Sequence, residues 1–209
     1  MITYVINLPH RTDRLEDIQR ELFVQKIEDY TVINPIEDKN SVVSLKNTVL
    51  TLLYEKSATA ESNLLLLLED DCEFINTSKI VRSITEAAVI LDDIDSEWQM
   101  LYLGANVTVP LEKALPSSDT LFKLKSAYST HAIVYNTRNL SKMLELIEPE
   151  IENDLPLDVI YVEKVQEKGH CYITGELFAV QRPGFSDIEG RRVNYAHLIQ
   201  DRFKLNVKK

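Results

Sequence analysis

The chain has 209 residues, of which 44% are hydrophobic and 27% charged, a composition typical of one globular domain and unlike that of a disordered segment. Its 23 basic and 33 acidic residues give a net charge of −10, which argues against a general nucleic-acid or anionic-membrane binder. The five glycines form neither a GxGxxG nor a GxxxxGKS/T pattern, which excludes the glycine-rich loops that hold nucleotide phosphates.

Strands and helices alternate along the first half of the chain. We predict strands at 3–8, 30–33, 63–68 and 98–103, with helices at 13–24, at 41–55 and over 80–91, the last capped by Asn76 or Thr77. The strand at 63–68 is a continuous apolar run, as in a strand buried on both faces, and the helices carry apolar residues every three or four positions. This alternation predicts an α/β fold with a mainly parallel sheet and a ligand outside the carboxyl ends of its strands.

The second half of the chain is less regular. We predict a loop with short strands at either end over 107–124, a strand at 130–135, a helix over 140–147 capped by Thr137, and another helix opening at 154–156. Strands at 171–174 and 177–180 are expected to form a hairpin around Gly175, and the tail after Gln181 has no period. Since no repeat or linker interrupts the chain, residues 1–209 are expected to form one domain.

Segments that would cross or enter a membrane are missing from the predicted elements. The longest apolar run, 64–68, is far shorter than the roughly 20 residues of a membrane-spanning helix, and the first seven residues resemble a strand more than a signal peptide. We therefore expect a cytoplasmic protein in which Cys72 and Cys171 are reduced, inert thiols.

Three consecutive carboxylates, Glu69-Asp70-Asp71, follow the apolar strand at 63–68. Like charges at the end of a buried strand repel one another, so solvent, a helix N-terminus or a cation must offset the repulsion. Mg²⁺ and Mn²⁺ bind carboxylate oxygens and commonly bridge one or two of them to substrate phosphates. The alternative is a solvated acidic turn stabilised by the start of the next helix.

Basic residues follow the first strand, at the same predicted edge of the sheet. Residues 7–14 read NLPHRTDR and include Arg11 and Arg14. Arginine binds phosphate through two parallel hydrogen bonds, which favours a phosphate contact here. The alternative is that both arginines only pair with Asp13, Asp17 and their neighbours on a helix surface.

These segments resemble glycosyltransferase family 25, which includes lipopolysaccharide galactosyltransferases and the collagen glycosyltransferases. Residues 5–14, VINLPHRTDR, are similar to the opening motif of that family. Further matches follow in the family's order: LLLEDDCEF at 66–74, YLG at 102–104, STHAIVY at 129–135, LPLD at 155–158 and SDI at 186–188. Residues 41–46, SVVSLK, keep a serine but lack the histidine that the family carries at this point, which leaves the substrate class open.

The resemblance implies a GT-A fold in which residues 1–104 form the nucleotide-sugar half and residues 105–209 the acceptor half. It implies Mn²⁺ or Mg²⁺ on the acidic segment, with Asp71 and Glu69 as the metal ligands. The residues expected to contact the donor are Asn7, Leu8, Arg11, Arg14, Glu69 and Asp70.

The reaction implied is transfer of a sugar from a UDP-sugar to a glycan, glycolipid or glycoprotein acceptor, with inversion. An inverting enzyme needs a carboxylate base near the acceptor hydroxyl, and Asp158 is our candidate, with Asp154 and Asp187 as the next choices. His131, Trp98, Tyr102 and Tyr128 are expected to pack in the core. Two alternatives remain open: another metal-dependent phosphate enzyme, such as a nucleotidyltransferase or phosphatase, and an inactive glycan-binding protein of the same fold.

Overall fold

The computed structural model describes residues 1–59, 62–75 and 79–207. The strands are β1 (Ile2–Ile6), β2 (Thr31–Ile33), β3 (Leu64–Glu69), β4 (Cys72–Phe74), β5 (Met100–Tyr102), β6 (Asn106–Val107), β7 (Glu112–Leu115), β8 (Ser118–Lys123), β9 (Ala127–Tyr128), β10 (Ala132–Asn136), β11 (Cys171–Thr174), β12 (Ala179–Gln181), β13 (Gly184–Ser186) and β14 (Arg191–Val193). The helices are α1 (Thr12–Val24), α2 (Ser41–Thr59), α3 (Ile80–Ile94), α4 (Leu140–Ile147), α5 (Leu157–Ile160) and α6 (Ala196–Val207). None of these described helices is both long enough and apolar enough to cross a lipid bilayer.

Eight strands form one central sheet in the order β2-β1-β3-β10-β5-β11-β8-β7. The pairs β1–β2, β1–β3 and β5–β11 are parallel, and the other four pairs are antiparallel. The α/β prediction is confirmed, but the expectation of a mainly parallel sheet is wrong because the sheet is mixed. Strands from both predicted halves, 1–104 and 105–209, lie side by side in it.

The connection that precedes β10, residues 103–131, contains short strands and no crossover helix. A parallel neighbour for β5 needs a crossover of a dozen or more residues, commonly a helix. The chain after β5 instead forms β6, the β7–β8 hairpin and β9, and then enters the sheet between β3 and β5 from the opposite end. Residues 107–124, predicted as a loop with short strands at either end, contain the β7–β8 hairpin, whose six-residue strand β8 pairs with β11.

Side chains of β3 are buried on both faces of the sheet, as the apolar run predicts. Leu65 and Leu67 belong to one hydrophobic cluster, with α2, α4 and α5, while Leu66 and Leu68 belong to the other, with α1 and α3. This alternation follows from the twofold side-chain period of a strand. The sheet thus separates two cores, and its strand ends reach the surface.

A hairpin around Gly175 is not formed. Strand β11 pairs with β5 and β8 in the central sheet, whereas β12 pairs with β4 in a separate two-stranded sheet. The prediction failed because 171–174 and 177–180 each have a better partner far away in sequence. The tail after Gln181, which has no period, forms β13, β14 and α6, and within the described chain β13 pairs only with β14.

The predicted positions of the helices agree with the structure better than the predicted capping residues do. Thr137 does not cap the helix over 140–147; the side chain of Asn136 accepts a hydrogen bond from the Arg138 N–H at the start of a 3₁₀ turn that leads into α4. Asn76 and Thr77, the predicted caps of α3, lie outside the described residues. Pro156 precedes α5, as expected for a residue without an N–H at a helix start.

Gly175 is required by the close approach of two strands, which gives the first testable prediction. A Cβ at this position would lie 1.6 Å from the backbone oxygen of Asp119, whereas one at Gly184 would lie 3.9 Å from its nearest neighbour. We expect Gly175→Ala to destabilise the protein by about 1–3 kcal/mol, as overpacking does. Urea denaturation measures this, with Gly184→Ala as the control; equal effects of the two substitutions would contradict the packing argument.

Candidate active site

The candidate site lies at the edge of the sheet where β1 and β3 end and β10 begins. Because β10 runs antiparallel to β3, its first residue pairs with Leu68, and the Glu69 N–H donates a hydrogen bond to the His131 carbonyl over 3.0 Å. The end of β1 lies on the other side, with Ile6 beside Glu69. Polar residues from three distant segments therefore meet at one edge.

A cavity of about 360 Å³, which we name the main cavity, opens at this edge. Glu69 and Asp71 line it from the end of β3, and Asp158 lines it from the first turn of α5. Its other lining residues are Val42, Leu45, Asn106, Tyr128, Ser129, Thr130, Pro156, Leu157, Gln181, Arg182, Ser186, Ile188, Glu189, Val193 and Tyr195. The structure thus brings the predicted metal ligands and the predicted base to one cavity.

Glu69 lies in an environment that disfavours its charge. Burial, followed by the negative charge of Asp71, raises the pKa of Glu69 to about 8. The Thr130 hydroxyl opposes this shift by donating a 2.5 Å hydrogen bond to Glu69 Oε1. Without a cation, the folded protein therefore favours the protonated form of Glu69.

Asp70 and Asp71 share the positive charge of Arg14. Arg14 Nη1 lies 2.8 Å from Asp70 Oδ1 and 3.5 Å from Asp71 Oδ2. Burial nevertheless raises the pKa of Asp71 to about 6, with Arg14 opposing the shift and Asp70 adding to it. The second oxygen, Asp71 Oδ1, is buried and has no hydrogen-bond partner among the described residues.

Asp158 is held by backbone donors. Its Oδ2 accepts a hydrogen bond from the Ser129 N–H over 3.2 Å, and its Oδ1 accepts one from the Val159 N–H over 2.9 Å. Ser129 has a φ of 83°, a backbone strain of the kind that clusters at functional sites. The Ser129 hydroxyl in turn donates to Gln181 Oε1 over 3.2 Å. This network fixes Asp158 relative to the end of β12.

The residues predicted to contact the sugar donor lie in different parts of the site. Leu8 and Arg14 line a second cavity of about 130 Å³, the side cavity, together with Asp70; Glu69 and Asp71 line both this cavity and the main one. Asn7 is buried, and its Nδ2 donates to the Leu8 carbonyl while its Oδ1 has no partner within the described parts of the chain. Arg11 lines neither of these cavities.

Arg11 pairs with carboxylates. Its guanidinium lies 2.9 Å from Asp13 and 2.7 Å from Asp187, and both carboxylates raise its pKa despite burial. Arg14 also donates to the Phe185 carbonyl over 2.6 Å. Of the pairing that the sequence left as an alternative, the structure shows Arg11 with Asp13, whereas Arg14 pairs with the acidic segment; a phosphate contact stays a prediction for both.

Sequence reasoning missed Gln181, Arg182 and Tyr195, which line the main cavity. The Arg182 N–H donates to the Asp71 carbonyl over 2.7 Å because β12 pairs with β4, directly after the acidic segment. The sequence marks Gln181 and Arg182 as polar residues at the end of an apolar strand, as it does Glu69, but not the pairing with β4 that brings them to the cavity.

The other singled-out residues mostly pack in the core. Trp98, Tyr102 and His131 are completely buried, and burial lowers the pKa of His131 to about 4, which keeps its ring neutral. Tyr128 is the exception, because it is half-buried and lines the main cavity. Asp154 is exposed and lines none of the cavities described above.

The metal-ligating groups are fewer than a closed metal site needs. Within 1–59, 62–75 and 79–207, no three His, Cys, Asp or Glu side chains stand close enough to hold a metal ion together. Glu69 and Asp71 could supply one or two ligands of an open site, which is how Mg²⁺ is held when substrate phosphates complete its coordination.

The sequence matches no protein family model and no curated protein. The crystal structure of A197 from STIV is similar in fold, with a TM-score of 0.51, 14% identity, and coverage of 92% of this chain and 93% of that chain. A Bacillus anthracis protein described as a putative glucose-1-phosphate thymidylyltransferase, in complex with a sucrose, gives a TM-score of 0.47 at 12% identity over 100% and 96% of the two chains. Mannose-1-phosphate geranyltransferase from Thermus thermophilus gives 0.37 at 13% identity over 82% and 58%. The likeness to A197 is one of fold alone, and the α/β architecture with a mixed sheet is what it supports.

The raised pKa of Glu69 yields a prediction about stability. Its pKa in the folded protein lies above the ordinary value of 4.5, so the folded state holds the proton more tightly and loses stability as pH rises from 4.5 to 8. Glu69→Gln removes the ionisable group. Without divalent cations, we expect it to raise the free energy of unfolding by on the order of 2 kcal/mol at pH 7.5 and to have little effect at pH 4.

Chemical denaturation between pH 4 and 8 measures this difference. Glu145→Gln, on the exposed face of α4, is the control and should leave the pH dependence unchanged. If the stability difference between the Glu69→Gln variant and the wild-type protein stays constant between pH 4 and 8, ionisation of Glu69 does not destabilise the folded protein.

Proposed function

We propose that the protein is a metal-dependent glycosyltransferase with a GT-A-like fold, which transfers a sugar from a nucleotide-sugar donor, a UDP-sugar in our expectation, to a glycan, glycolipid or glycoprotein acceptor. The observation that supports this most is that Glu69, Asp71 and Asp158 line one cavity at the carboxyl edge of the parallel strands. The first two come from the end of a buried strand and the third from a distant helix start. Metal-assisted transfer to a hydroxyl acceptor needs carboxylates that hold the metal ion and a separate carboxylate that acts as the base, and this cavity offers both.

The residues present fit a divalent cation such as Mn²⁺ or Mg²⁺. Asp71 Oδ1 is a buried oxygen without a partner in the described chain. Burial raises the pKa of both Glu69 and Asp71, and the charge of Asp71 raises that of Glu69 further. A bound cation would offset this repulsion and stabilise the charge that develops on the departing nucleoside diphosphate. Asp71, together with Glu69, would hold it.

The side cavity is the place we assign to the nucleotide end of the donor. Leu8 offers an apolar surface there, and Arg14 brings a guanidinium that reaches Asp70 and Asp71. Arg14 would therefore neutralise both the acidic segment and part of the diphosphate. Asn7, buried behind Leu8, keeps the turn after β1 in place through its hydrogen bond to the Leu8 carbonyl.

Asp158 is the residue we assign as the base. It faces the same cavity as Asp71, and backbone N–H groups of Ser129 and Val159 hold its carboxylate in one orientation. A carboxylate so held can accept the proton of an acceptor hydroxyl as the hydroxyl attacks the sugar, which is the task of a base in inverting transfer.

The experiment combines a binding screen with an assay of turnover. We expect UDP-sugars to raise the melting temperature only with Mn²⁺ or Mg²⁺, and slow release of UDP from the stabilising donor. Asp71→Asn should lose the metal-dependent stabilisation. Asp158→Asn should keep it but lose turnover by roughly 10²- to 10⁴-fold, the contribution of general-base catalysis. Asp93→Asn, on the exposed surface of α3, is the matched control.

Other outcomes would contradict the proposal in different ways. Equal stabilisation with and without metal, or an unaffected Asp71→Asn variant, would remove the metal site. Release of inorganic phosphate or pyrophosphate instead of a nucleoside diphosphate would indicate a phosphatase or nucleotidyltransferase. Glycan binding with no nucleotide-sugar effect would indicate an inactive binding protein, and an active Asp158→Asn variant would remove Asp158 as the base.

A further inference from the structure

A third cavity, of about 260 Å³, lies between the start of α1 and the β13–β14 hairpin. We name it the arginine cavity, because four of the nine arginines of this acidic chain line it: Arg11, Arg14, Arg182 and Arg192. Three carboxylates, those of Asp13, Asp17 and Asp71, also line it. The main cavity has the opposite balance, with four carboxylates and one arginine.

We propose that the arginine cavity binds a phosphate group, and that the Asp187 carboxylate, which lines the neighbouring side cavity, holds Arg11 until phosphate displaces it from that guanidinium. The ligand class is a phosphate monoester, inorganic phosphate or the end of a diphosphate. This inference goes beyond the proposed glycosyltransferase function, because it requires neither a metal ion nor sugar transfer.

Two of the arginines have donor groups to spare. Within the described residues, Arg192 has no carboxylate partner. Arg182 pairs with Glu21 through Nη2 over 2.6 Å, while its Nε is buried, lies 4.0 Å from Asp17 Oδ2 and has no hydrogen-bond partner in the same described ranges. A buried N–H without an acceptor is costly, and a phosphate oxygen is an acceptor that would satisfy it.

The other two arginines, besides their pairs with Asp13 and with Asp70, donate to oxygens of one short segment of the hairpin. Arg11 Nη1 donates to Asp187 Oδ2 over 2.7 Å and to the Phe185 carbonyl over 3.3 Å. Arg14 Nη2 donates to the same carbonyl over 2.6 Å. Three hydrogen bonds to oxygens of residues 185–187 reproduce what one phosphate would offer two guanidinium groups.

Displacement of Asp187 is physically reasonable because its carboxylate has only one close charged partner among the described residues, Arg11. Its side chain keeps 27% of its accessible surface, and its other contact is His10 at 3.8 Å, an attraction only when that histidine is protonated. Phosphate carries more charge and more acceptor oxygens than a carboxylate, so it competes well for Arg11. Arg192 on β14 would then join Arg11 on the same ligand, which ties the hairpin to α1.

Calorimetric titration with inorganic phosphate, without divalent cations, tests the proposal on the whole chain. We expect Asp187→Asn to strengthen phosphate binding and Arg192→Gln to weaken it, each by roughly fivefold. Arg20→Gln, an exposed arginine on α1 that lines no part of this cavity, is the matched control and should leave affinity unchanged. Because Asp187→Asn predicts a gain, a misfolded variant cannot imitate the expected result.

Amide hydrogen exchange provides the second measurement. We expect phosphate to slow exchange over 184–193 in the wild-type chain and not in Arg192→Gln. An Asp187→Asn variant with unchanged or weaker phosphate affinity would overturn the proposal, as would equal losses in Arg192→Gln and Arg20→Gln.

Titration with UDP in the presence of bound phosphate distinguishes the two sources of the ligand. Displacement assigns the site to a nucleoside diphosphate, and simultaneous binding assigns it to a separate phosphate-bearing molecule; either result supports the site. If phosphate fails to bind while UDP-sugars with Mn²⁺ still stabilise the protein, this inference fails and the proposed function stands. The reverse pattern would leave the phosphate site and remove the proposed function.

Discussion

Repulsion between three consecutive carboxylates at the end of a buried strand is the constraint around which the site is arranged. The chain offsets it differently for each: Asp70 pairs with Arg14, Glu69 accepts a hydrogen bond from Thr130, and Asp71 keeps one buried oxygen without a partner in the described structure. A fully offset triplet would be inert toward a cation. The incomplete offset at Asp71 is the feature on which the proposed cation site depends, and it has a cost in folding stability near neutral pH.

The reversed strand β10 places the rest of the site around that triplet. Had β10 been parallel to β3, its first residues would lie at the far end of the sheet, away from Glu69. Because it is antiparallel, Ser129 and Thr130 reach the acidic end of β3, and Ser129 holds Asp158. The mixed sheet, which departs from a simple doubly wound arrangement, is thus what allows one segment to contact both carboxylate groups.

Local sequence determined much of this structure, and long-range pairing determined the remainder. The apolar run of β3 fits only a buried strand and the periodic apolar face of α1 fits only a helix, so the positions of both elements could be predicted. The direction of β10 and the separation of β11 from β12 depend on partners distant in the chain, and no local pattern encodes them. At the site, Glu69 to Asp71 and Asp158 were recognisable as residues, whereas the contribution of Gln181 arises only because β12 pairs with β4.

The β13–β14 hairpin contributes walls to all three named cavities, while its strands pair only with each other in the part of the chain that the structure describes. Since it supplies no strand to the central sheet, residues 184–193 are free to vary in length and side chains with little disturbance to either hydrophobic core. Substitutions or insertions within this ten-residue segment can therefore reshape the cavities while the central sheet stays unchanged. Because the same segment borders all three cavities, a substitution that changes the shape of one cavity also changes the walls of the others.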